Sequence, residues 1–337
     1  MNLSNVITVK PVSEADWKAI LGNSRMTTEQ LLNSVGLGTH PLTNSQAEKL
    51  FELRVPGPYL DKIEYGNPED PLLLQVLPQA AELLKHEDYS DDPLAEADAT
   101  ANTGLLHKYK SRVLLITTQS CAIHCRYCFR RNFPYEQHRQ STQDWQQAFD
   151  YIKQDQDVNE VILSGGDPLT LNNDYLLKLL IELDQLPNIK RIRIHSRLIS
   201  SLPQRIDGDL IDGLSKLSKK LIVVMHCNHA NELDDDVGRA IAALKTLDIT
   251  LLNQSVLLKG INDDARVLAK LSEKLFDYGV MPYYLFTLDK VSGAAHFDLP
   301  AKEIRNIYQS LLGKLPGFLV PKLMSEIPGK KSKVPFI

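Results

Sequence analysis

The feature that most constrains the fold is a regular alternation of short, apolar, β-branched runs with helical segments from about residue 112 onward. Six runs can be counted: RVLLITT, EVILSGG, IRIHS, LIVVMHC, ITLLNQSVLL and PYYLFT. Each is separated from the next by enough residues for a crossover helix, which favours parallel strands with right-handed connections. We predict an α/β fold that is either an open doubly wound sheet or a barrel, and its six units fall short of the eight of a complete TIM barrel.

The pattern divides the chain into three regions. Residues 1–100 contain short amphipathic helical segments such as SEADWKAIL and MTTEQLLNSV, and no chemistry is evident in them. Residues 101–300 hold the predicted strands and crossover helices. Residues 301–337 are expected to form a C-terminal helix and a lysine-rich tail, PGKKSKVPFI.

Charge and hydropathy narrow the class of protein. The 337 residues carry a formal net charge of -4, which gives no reason to expect nucleic acid as a partner. The N-terminus becomes polar too soon for a signal peptide, and no run of about 18 apolar residues occurs. These features predict a cytoplasmic protein that does not bind a membrane.

Three of the four cysteines lie within eight residues, CAIHCRYC, as Cys121, Cys125 and Cys128. Thiolates are soft ligands for zinc or iron–sulfur clusters. A structural zinc site needs a fourth ligand, for which His124 or His138 is available. Three ligands on a four-iron cluster leave one iron open to a reacting molecule, so the spacing favours a cluster and leaves zinc as the alternative.

Polar residues follow the predicted strands where ligands gather in parallel architectures, at the carboxyl ends. The cysteine loop follows the first strand, and the later ends carry Gly165, Gly166, Asp167, Ser196, Arg197, His226, Gln254 and Asp289. We expect these residues to converge on one mouth. Cys227, one residue beyond His226, is predicted to point to the other face and belong to the core.

The CxxxCxxC motif resembles that of radical S-adenosylmethionine enzymes, and its surroundings resemble the lysine 2,3-aminomutase family from about Leu53 to Pro335. The resemblance rests on LLHKYKSRVLLITT, CAIHCRYCFRR, ILSGGDPL, IRIHSRL, HCNHANEL, LLNQSVLLKGIND and MPYYLFTLDKVSGAAHF. Within the family, the chain is most similar to the bacterial branch that makes β-lysine for modification of elongation factor P. For the fold, the resemblance implies a partial TIM-like (β/α)6 barrel over residues 101–300.

The resemblance implies a [4Fe–4S] cluster on Cys121, Cys125 and Cys128, whose open iron binds S-adenosylmethionine for cleavage to a 5'-deoxyadenosyl radical. It places seven residues around S-adenosylmethionine: Gly165, Gly166, Asp167, Ser196, Arg197, His226 and Gln254. The glycines would let the ligand approach the backbone, and Asp167 would accept a hydrogen bond from its amino group.

The resemblance also implies pyridoxal phosphate. Lys108, Tyr109 and Arg112 match the family's phosphate-binding segment, and Lys333 matches the lysine that forms the Schiff base. The tail departs from the family pattern because three of its four glycines are replaced by Lys330, Lys331 and Ser332. Lys330 and Lys331 therefore remain alternatives for the Schiff base.

The implied substrate is L-α-lysine. Arg130 matches the residue that pairs with its carboxylate, while Asp289 and Glu326 match the two acidic partners of its distant ammonium, Glu326 standing where the lysine enzymes have aspartate. The implied activity is that of an isomerase that moves nitrogen from C2 to C3 and needs an electron donor. Arginine and glutamate remain alternative substrates, although both acidic residues would repel the side-chain carboxylate of glutamate. A link to elongation factor P and its ligase is expected, and an oligomer is compatible with the sequence.

Overall fold

The computed structural model describes residues 14–135 and 142–336, and within these ranges ten strands form a single sheet in chain order. The strands are β1 (Thr100–Asn102), β2 (Leu105–Tyr109), β3 (Arg112–Thr118), β4 (Glu160–Gly165), β5 (Arg191–Ser196), β6 (Lys220–His226), β7 (Ile249–Val256), β8 (Met281–Phe286), β9 (Lys322–Ser325) and β10 (Val334–Pro335). Neighbours from β3 to β9 pair in parallel, whereas β1, β2 and β10 pair antiparallel.

The six predicted strands correspond to β3–β8, so the α/β partial-barrel prediction is confirmed. The structure adds a further parallel strand, β9, which pairs with β8 and carries the sheet into the region expected to hold only a helix and a tail. The pattern missed β9 because KLMS is four residues long and follows Pro321. It also missed the β1–β2 hairpin, which extends the other edge of the sheet.

Helices surround the parallel strands and fill the N-terminal region. Their bounds are α1 (Glu14–Gly22), α2 (Thr28–Ser34), α3 (Ser45–Leu50), α4 (Gly57–Leu60), α5 (Pro71–Leu74), α6 (Thr142–Gln154), α7 (Asn173–Asp184), α8 (Leu198–Ser201), α9 (Gly208–Leu214), α10 (Asp235–Leu244), α11 (Ala265–Asp277) and α12 (Ala301–Leu312). Asn172, Asp234 and Asp264 accept backbone N–H groups at the starts of α7, α10 and α11, which stabilises these crossover helices. Of the helices in the described ranges, none is long and apolar enough to cross a membrane.

The largest apolar core lies between the parallel strands and their crossover helices. β4 is buried along its full length, and two of its apolar residues belong to the same cluster as Leu180, Ile192 and Ile241. Burial of each such aliphatic side chain is worth roughly 1.5–3 kcal/mol. Cys227 is fully buried in this core, as predicted from its position beyond His226.

A second core joins the N-terminal helices to the cysteine loop. Leu31, Tyr59 and Leu72 pack in one apolar cluster with Ile123 and Tyr127, which belong to the loop itself. The N-terminal region therefore packs against the cysteine loop.

Candidate active site

One cavity of about 490 Å³ extends from the carboxyl ends of the parallel strands into the barrel interior. Every site residue predicted from the sequence lines it: Lys108, Tyr109, Arg112, Cys121, Cys125, Cys128, Arg130, Gly165, Gly166, Asp167, Ser196, Arg197, His226, Gln254, Asp289, Glu326 and Lys333. The strand-end rule accounts for the cysteine loop and the strand-end residues as far as Asp289, whereas Lys108, Tyr109, Arg112, Arg130, Glu326 and Lys333 were predicted from the family resemblance.

The three thiols lie in an environment that disfavours free thiolates. Burial raises the pKa of Cys121, Cys125 and Cys128, that of Cys128 to about 11. A soft cation that binds the thiolates would offset this desolvation. The donor set therefore fits an iron–sulfur cluster.

His124, one of the two histidines considered as a fourth zinc ligand, is engaged by other contacts. The ring of His124 stacks on Phe51 with centroids 4.8 Å apart, and its Nδ1 lies 2.8 Å from the Glu52 carbonyl oxygen. His138 falls outside the described residues. Over residues 14–135 and 142–336, no three His, Cys, Asp or Glu side chains are arranged to hold a single metal ion.

A buried ion-pair network fixes the cysteine loop. Arg126 is fully buried and donates to Glu82 at 2.9 and 2.6 Å and to the Ala47 carbonyl at 3.0 Å. Arg131 donates to the same carboxylate at 2.6 Å. Because removal of one partner from a buried pair costs about 3–5 kcal/mol, the network is a rigid brace between the loop and the N-terminal region.

The two glycines at the end of β4, Gly165 and Gly166, also have a packing role. Gly165 has φ +115°, and a Cβ there would lie 2.7 Å from the Thr118 carbonyl oxygen. A Cβ on Gly166 would overlap the backbone of Ser120. Both positions therefore let the cysteine loop pack against β4, in addition to lining the cavity.

Asp167 is not the open acceptor that the sequence led us to expect. Its carboxylate accepts from the backbone N–H groups of Leu169 at 3.0 Å, Arg197 at 2.7 Å and Leu198 at 3.1 Å, and from the hydroxyl of Ser196 at 3.1 Å. Oδ2 accepts three of these bonds and Oδ1 accepts one, so the protein uses most of the acceptor capacity of this carboxylate. Asp167 and Ser196 instead tie the end of β4 to the end of β5.

Arg197 is held in place by a buried polar network. It donates to the Tyr127 hydroxyl at 2.6 Å and to the Gln75 side-chain oxygen at 2.9 Å, and it lies 3.3 Å from the Glu232 carboxylate.

Burial, followed by the charge of Arg197, lowers the pKa of His226 to about 3, so this imidazole is neutral.

Several buried nitrogens in the cavity have no hydrogen-bond partner among the described residues. They are Nε of Arg193, Nε2 of His195, Nε of Arg197 and Nε2 of His226. Buried polar groups without a partner are rare in folded proteins. Their concentration in one cavity indicates that it is built to bind a polar ligand.

The sequence reasoning missed Arg193 and His195. They alternate with buried isoleucines along β5, RIRIHS, and therefore face the barrel interior. Arg193 pairs with Glu160, and burial, followed by the charges of Arg193, Lys333 and other cations, lowers the pKa of His195 well below its usual range. The period-two alternation was the signal that could have identified both.

The tail lysines separate into two groups. Lys333 lines the cavity, pairs with Glu326 and lies 4.6 Å from the Phe286 ring centroid, whereas Lys330 and Lys331 are exposed and lie outside the cavity lining. Glu326 also accepts from Lys108 at 3.3 Å. Although burial opposes it, the charges of Lys333 and Lys108 lower the pKa of Glu326 to about 2. Glu326 thus already has two cationic partners and is not the free acid expected for a substrate ammonium.

The phosphate-binding residues predicted from HKYKSR are only partly available. Lys108 is engaged by Glu326 and by the Leu94 carbonyl at 3.1 Å. Arg112 stacks over Tyr109, with 4.3 Å between its guanidinium carbon and the ring centroid. Arg112 and Arg193 both line the cavity and supply the kind of planar cation that binds phosphate.

Asp289 and Arg130 lie in the same cavity. Burial and the nearby charge of Glu326 raise the pKa of Asp289 to about 7, against the opposing charges of Lys333 and Lys108. Arg130 already donates to Glu96 at 2.7 Å through Nε and at 2.7 Å through Nη2. The predicted carboxylate-binding residue thus has a carboxylate partner from the N-terminal region, where no chemistry was expected.

Comparisons with known proteins agree with this geometry. Residues 115–271 match the model of the radical SAM superfamily. L-lysine 2,3-aminomutase of Haemophilus influenzae is 44% identical over 97% of this chain and 98% of its own. The chain belongs to the L-lysine 2,3-aminomutase family. The enzyme of the same name from Escherichia coli is also 44% identical, over 99% of this chain and 98% of its own length.

A solved radical SAM methyltransferase from Sphaerobacter thermophilus is 17% identical to this chain. The match covers 66% of this chain and 68% of that one, with a TM-score of 0.44.

Family membership confirms the predicted enzyme class, an isomerase, and the zinc-stabilised binding protein is no longer a competing interpretation. It also confirms the predicted cofactor set of a [4Fe–4S] cluster, S-adenosylmethionine and pyridoxal phosphate, which the thiols, unpaired nitrogens and cations of the cavity fit.

Proposed function

We propose that this chain converts L-α-lysine to β-lysine as a lysine 2,3-aminomutase. The observation that carries the proposal is 44% identity over nearly the full length of relatives named for this reaction. The cavity supports it with three features: a triad of thiols, a tail lysine and opposed charges suited to a zwitterionic amino acid with a cationic side chain.

We assign the residues that would hold the cofactors as follows. Cys121, Cys125 and Cys128 would bind the cluster, His226 and Gln254 would contact S-adenosylmethionine, and Arg112 would bind the phosphate of pyridoxal phosphate attached to Lys333. When bound, these groups supply a radical for hydrogen abstraction at C3 and a π system for the nitrogen shift from C2 to C3. The surrounding protein excludes water, which limits side reactions of radicals.

Arg130 and Asp289 would orient lysine within the cavity. The guanidinium of Arg130 offers N–H donors to the α-carboxylate, and Asp289 offers a carboxylate to the ε-ammonium. This pairing disfavours glutamate, whose side-chain carboxylate would face Asp289. The two charges would thus fix both ends of the substrate relative to Lys333.

The test is anaerobic incubation of the reconstituted enzyme with lysine, S-adenosylmethionine and a reductant, followed by analysis for β-lysine. We expect β-lysine from lysine and no 2,3-migration product from glutamate. Product from arginine in place of lysine would overturn the substrate assignment but retain the reaction class. A protein that is colourless and free of iron after anaerobic purification would overturn the radical mechanism.

The pKa of Asp289, about 7, predicts a pH-dependent affinity for lysine. Ionised Asp289 attracts the ε-ammonium and protonated Asp289 does not, while the ammonium itself stays charged. KM for lysine is therefore expected to rise below about pH 7, by up to about tenfold per pH unit. Steady-state kinetics between about pH 6 and 8 measures this change in KM.

The matched control is Asp289→Asn, which fills the same space without titrating. Its KM should be high and nearly independent of pH over the same range. A wild-type KM that does not change with pH, or a variant that keeps the full pH dependence, would contradict the assignment of Asp289.

We further propose that the enzyme acts in the cytoplasm, takes its electron from a separate donor, and supplies β-lysine for the modification of elongation factor P by its ligase. The support is the similarity of the chain to the branch of the family with that role. Mass analysis of elongation factor P from cells that lack this gene is the test. Loss of the β-lysyl mass, restored by added β-lysine, supports the link, whereas unchanged modification refutes it.

A further inference from the structure

We propose that Glu96 is a positioning residue for substrate recognition: it fixes the guanidinium of Arg130 so that its remaining donors face an incoming α-carboxylate. This inference rests on the proposed function, because it concerns how the same cavity recognises its amino acid. Glu96 lies in the acidic stretch before β1, in a region for which the sequence indicated no chemistry.

The contact between the two side chains has the geometry of a fixed support. Glu96 and Arg130 are 4% and 6% exposed, and two parallel hydrogen bonds of 2.7 Å join them. The Nη1 atom of Arg130 also donates to the Ser164 hydroxyl at 2.9 Å. These bonds use three of the five N–H donors of an arginine, so two remain for a ligand in the cavity.

The same turn also contacts the neighbouring cation. Lys108 donates to the Leu94 carbonyl at 3.1 Å, and its Nζ lies 3.7 Å from the Glu96 carboxylate. The segment Leu94–Glu96 therefore holds two cations of the cavity. It holds Lys108 through a carbonyl and a weak ion pair, and Arg130 through a bidentate ion pair.

The backbone of this turn provides an independent observation. Ala95, directly before Glu96, has φ +48° and is the only non-glycine residue with positive φ in the described ranges. Such strain persists where the surroundings require it, and it is concentrated at ligand-binding sites. Asp92 stabilises the turn by accepting from the backbone N–H of Glu96 at 2.9 Å and of Ala97 at 3.1 Å. The strained turn directs the Glu96 side chain into the barrel.

The negative charge of Glu96 and the position of its carboxylate contribute separately to the placement of Arg130, and a conservative substitution can distinguish them. Glu96→Asp keeps the negative charge but shortens the side chain by one methylene, so the bidentate contact with Arg130 cannot form without moving the guanidinium. A substrate carboxylate would then meet displaced donors, whereas the negative charge near Lys108 and the ammonium end of the cavity would be retained.

The experiment compares equilibrium binding of lysine and of lysine amide, which lacks the carboxylate, to the holoenzyme. The wild-type enzyme is expected to prefer lysine, and in Glu96→Asp this preference should fall at least tenfold. The matched control is Glu82→Asp, which removes one methylene from another buried Glu–Arg network, one that lies outside the cavity lining. It should lower stability but leave the lysine preference unchanged, because a purely structural defect affects both ligands equally.

The outcomes separate this inference from the proposed function. A wild-type enzyme that makes no β-lysine refutes the proposed function itself. A wild-type enzyme that makes β-lysine while Glu96→Asp retains the full preference for lysine refutes the role of Glu96 alone. If Glu96→Asp does not fold, Glu96→Gln is measured in the same way, since it fills the original volume but can offer Arg130 only one acceptor oxygen, and an unchanged preference in it is equally decisive.

Discussion

Replacement of Lys333 with alanine is expected to abolish β-lysine formation and the covalent attachment of pyridoxal phosphate. Lys333 is the tail lysine that lines the cavity, and Glu326 holds its amino group there. Lys330 and Lys331 are exposed and should not reach the cofactor. Borohydride reduction of the pyridoxal phosphate-loaded enzyme, followed by peptide mapping, identifies the modified lysine.

The matched controls for Lys333 are Lys330→Ala and Lys331→Ala. Both should keep the label on Lys333 and turn over lysine at a rate close to that of the wild type. The label on Lys330 or Lys331 in the wild-type enzyme, or full activity of Lys333→Ala, would show that a different lysine carries the cofactor.

Replacement of Cys125 with alanine is expected to remove the cluster and, with it, all turnover. The loop supplies three thiols, and the loss of one leaves two ligands for four irons. Iron content and the visible absorbance of the anaerobically reconstituted protein should fall to the level of a preparation without added iron. Attachment of pyridoxal phosphate to Lys333 should persist, because it does not require the thiols.

Cys227→Ala is the control for Cys125. This thiol is fully buried in the main core, and its sulfur contacts the His229 carbonyl oxygen at 3.4 Å. Its replacement should change the free energy of unfolding by about 1 kcal/mol and leave the iron content unaltered. Loss of iron from Cys227→Ala together with normal iron in Cys125→Ala would require a different ligand set.

The local sequence was sufficient for the main barrel strands because each is a short, largely apolar run separated from the next by a helical segment. The order of the strands then placed His226, Gln254 and Asp289 at one mouth, since parallel strands share a carboxyl edge. These predictions needed no knowledge of distant contacts. They were correct about which residues converge.

What each side chain contacts depends on tertiary packing and was not accessible in the same way. Asp167 accepts mainly from donors at and just after the end of the next strand, and Glu326 is paired with Lys108 from the opposite edge of the sheet. Glu96 lies in an acidic stretch with the composition of a solvated loop, yet it is buried against Arg130. A charge pattern alone cannot predict that a distant cation will make such burial favourable.

The ion pair between Lys108 and Glu326 joins residues 218 positions apart, one on β2 and the other just after β9. Contacts of such high sequence separation form late in folding, because the entropy of closing the loop must be paid first. Lys333 and β10, the strand that begins at the next residue, belong to the same edge of the sheet. A chain in which this edge has not formed would therefore lack the site that captures pyridoxal phosphate, so attachment of the cofactor requires the completed sheet.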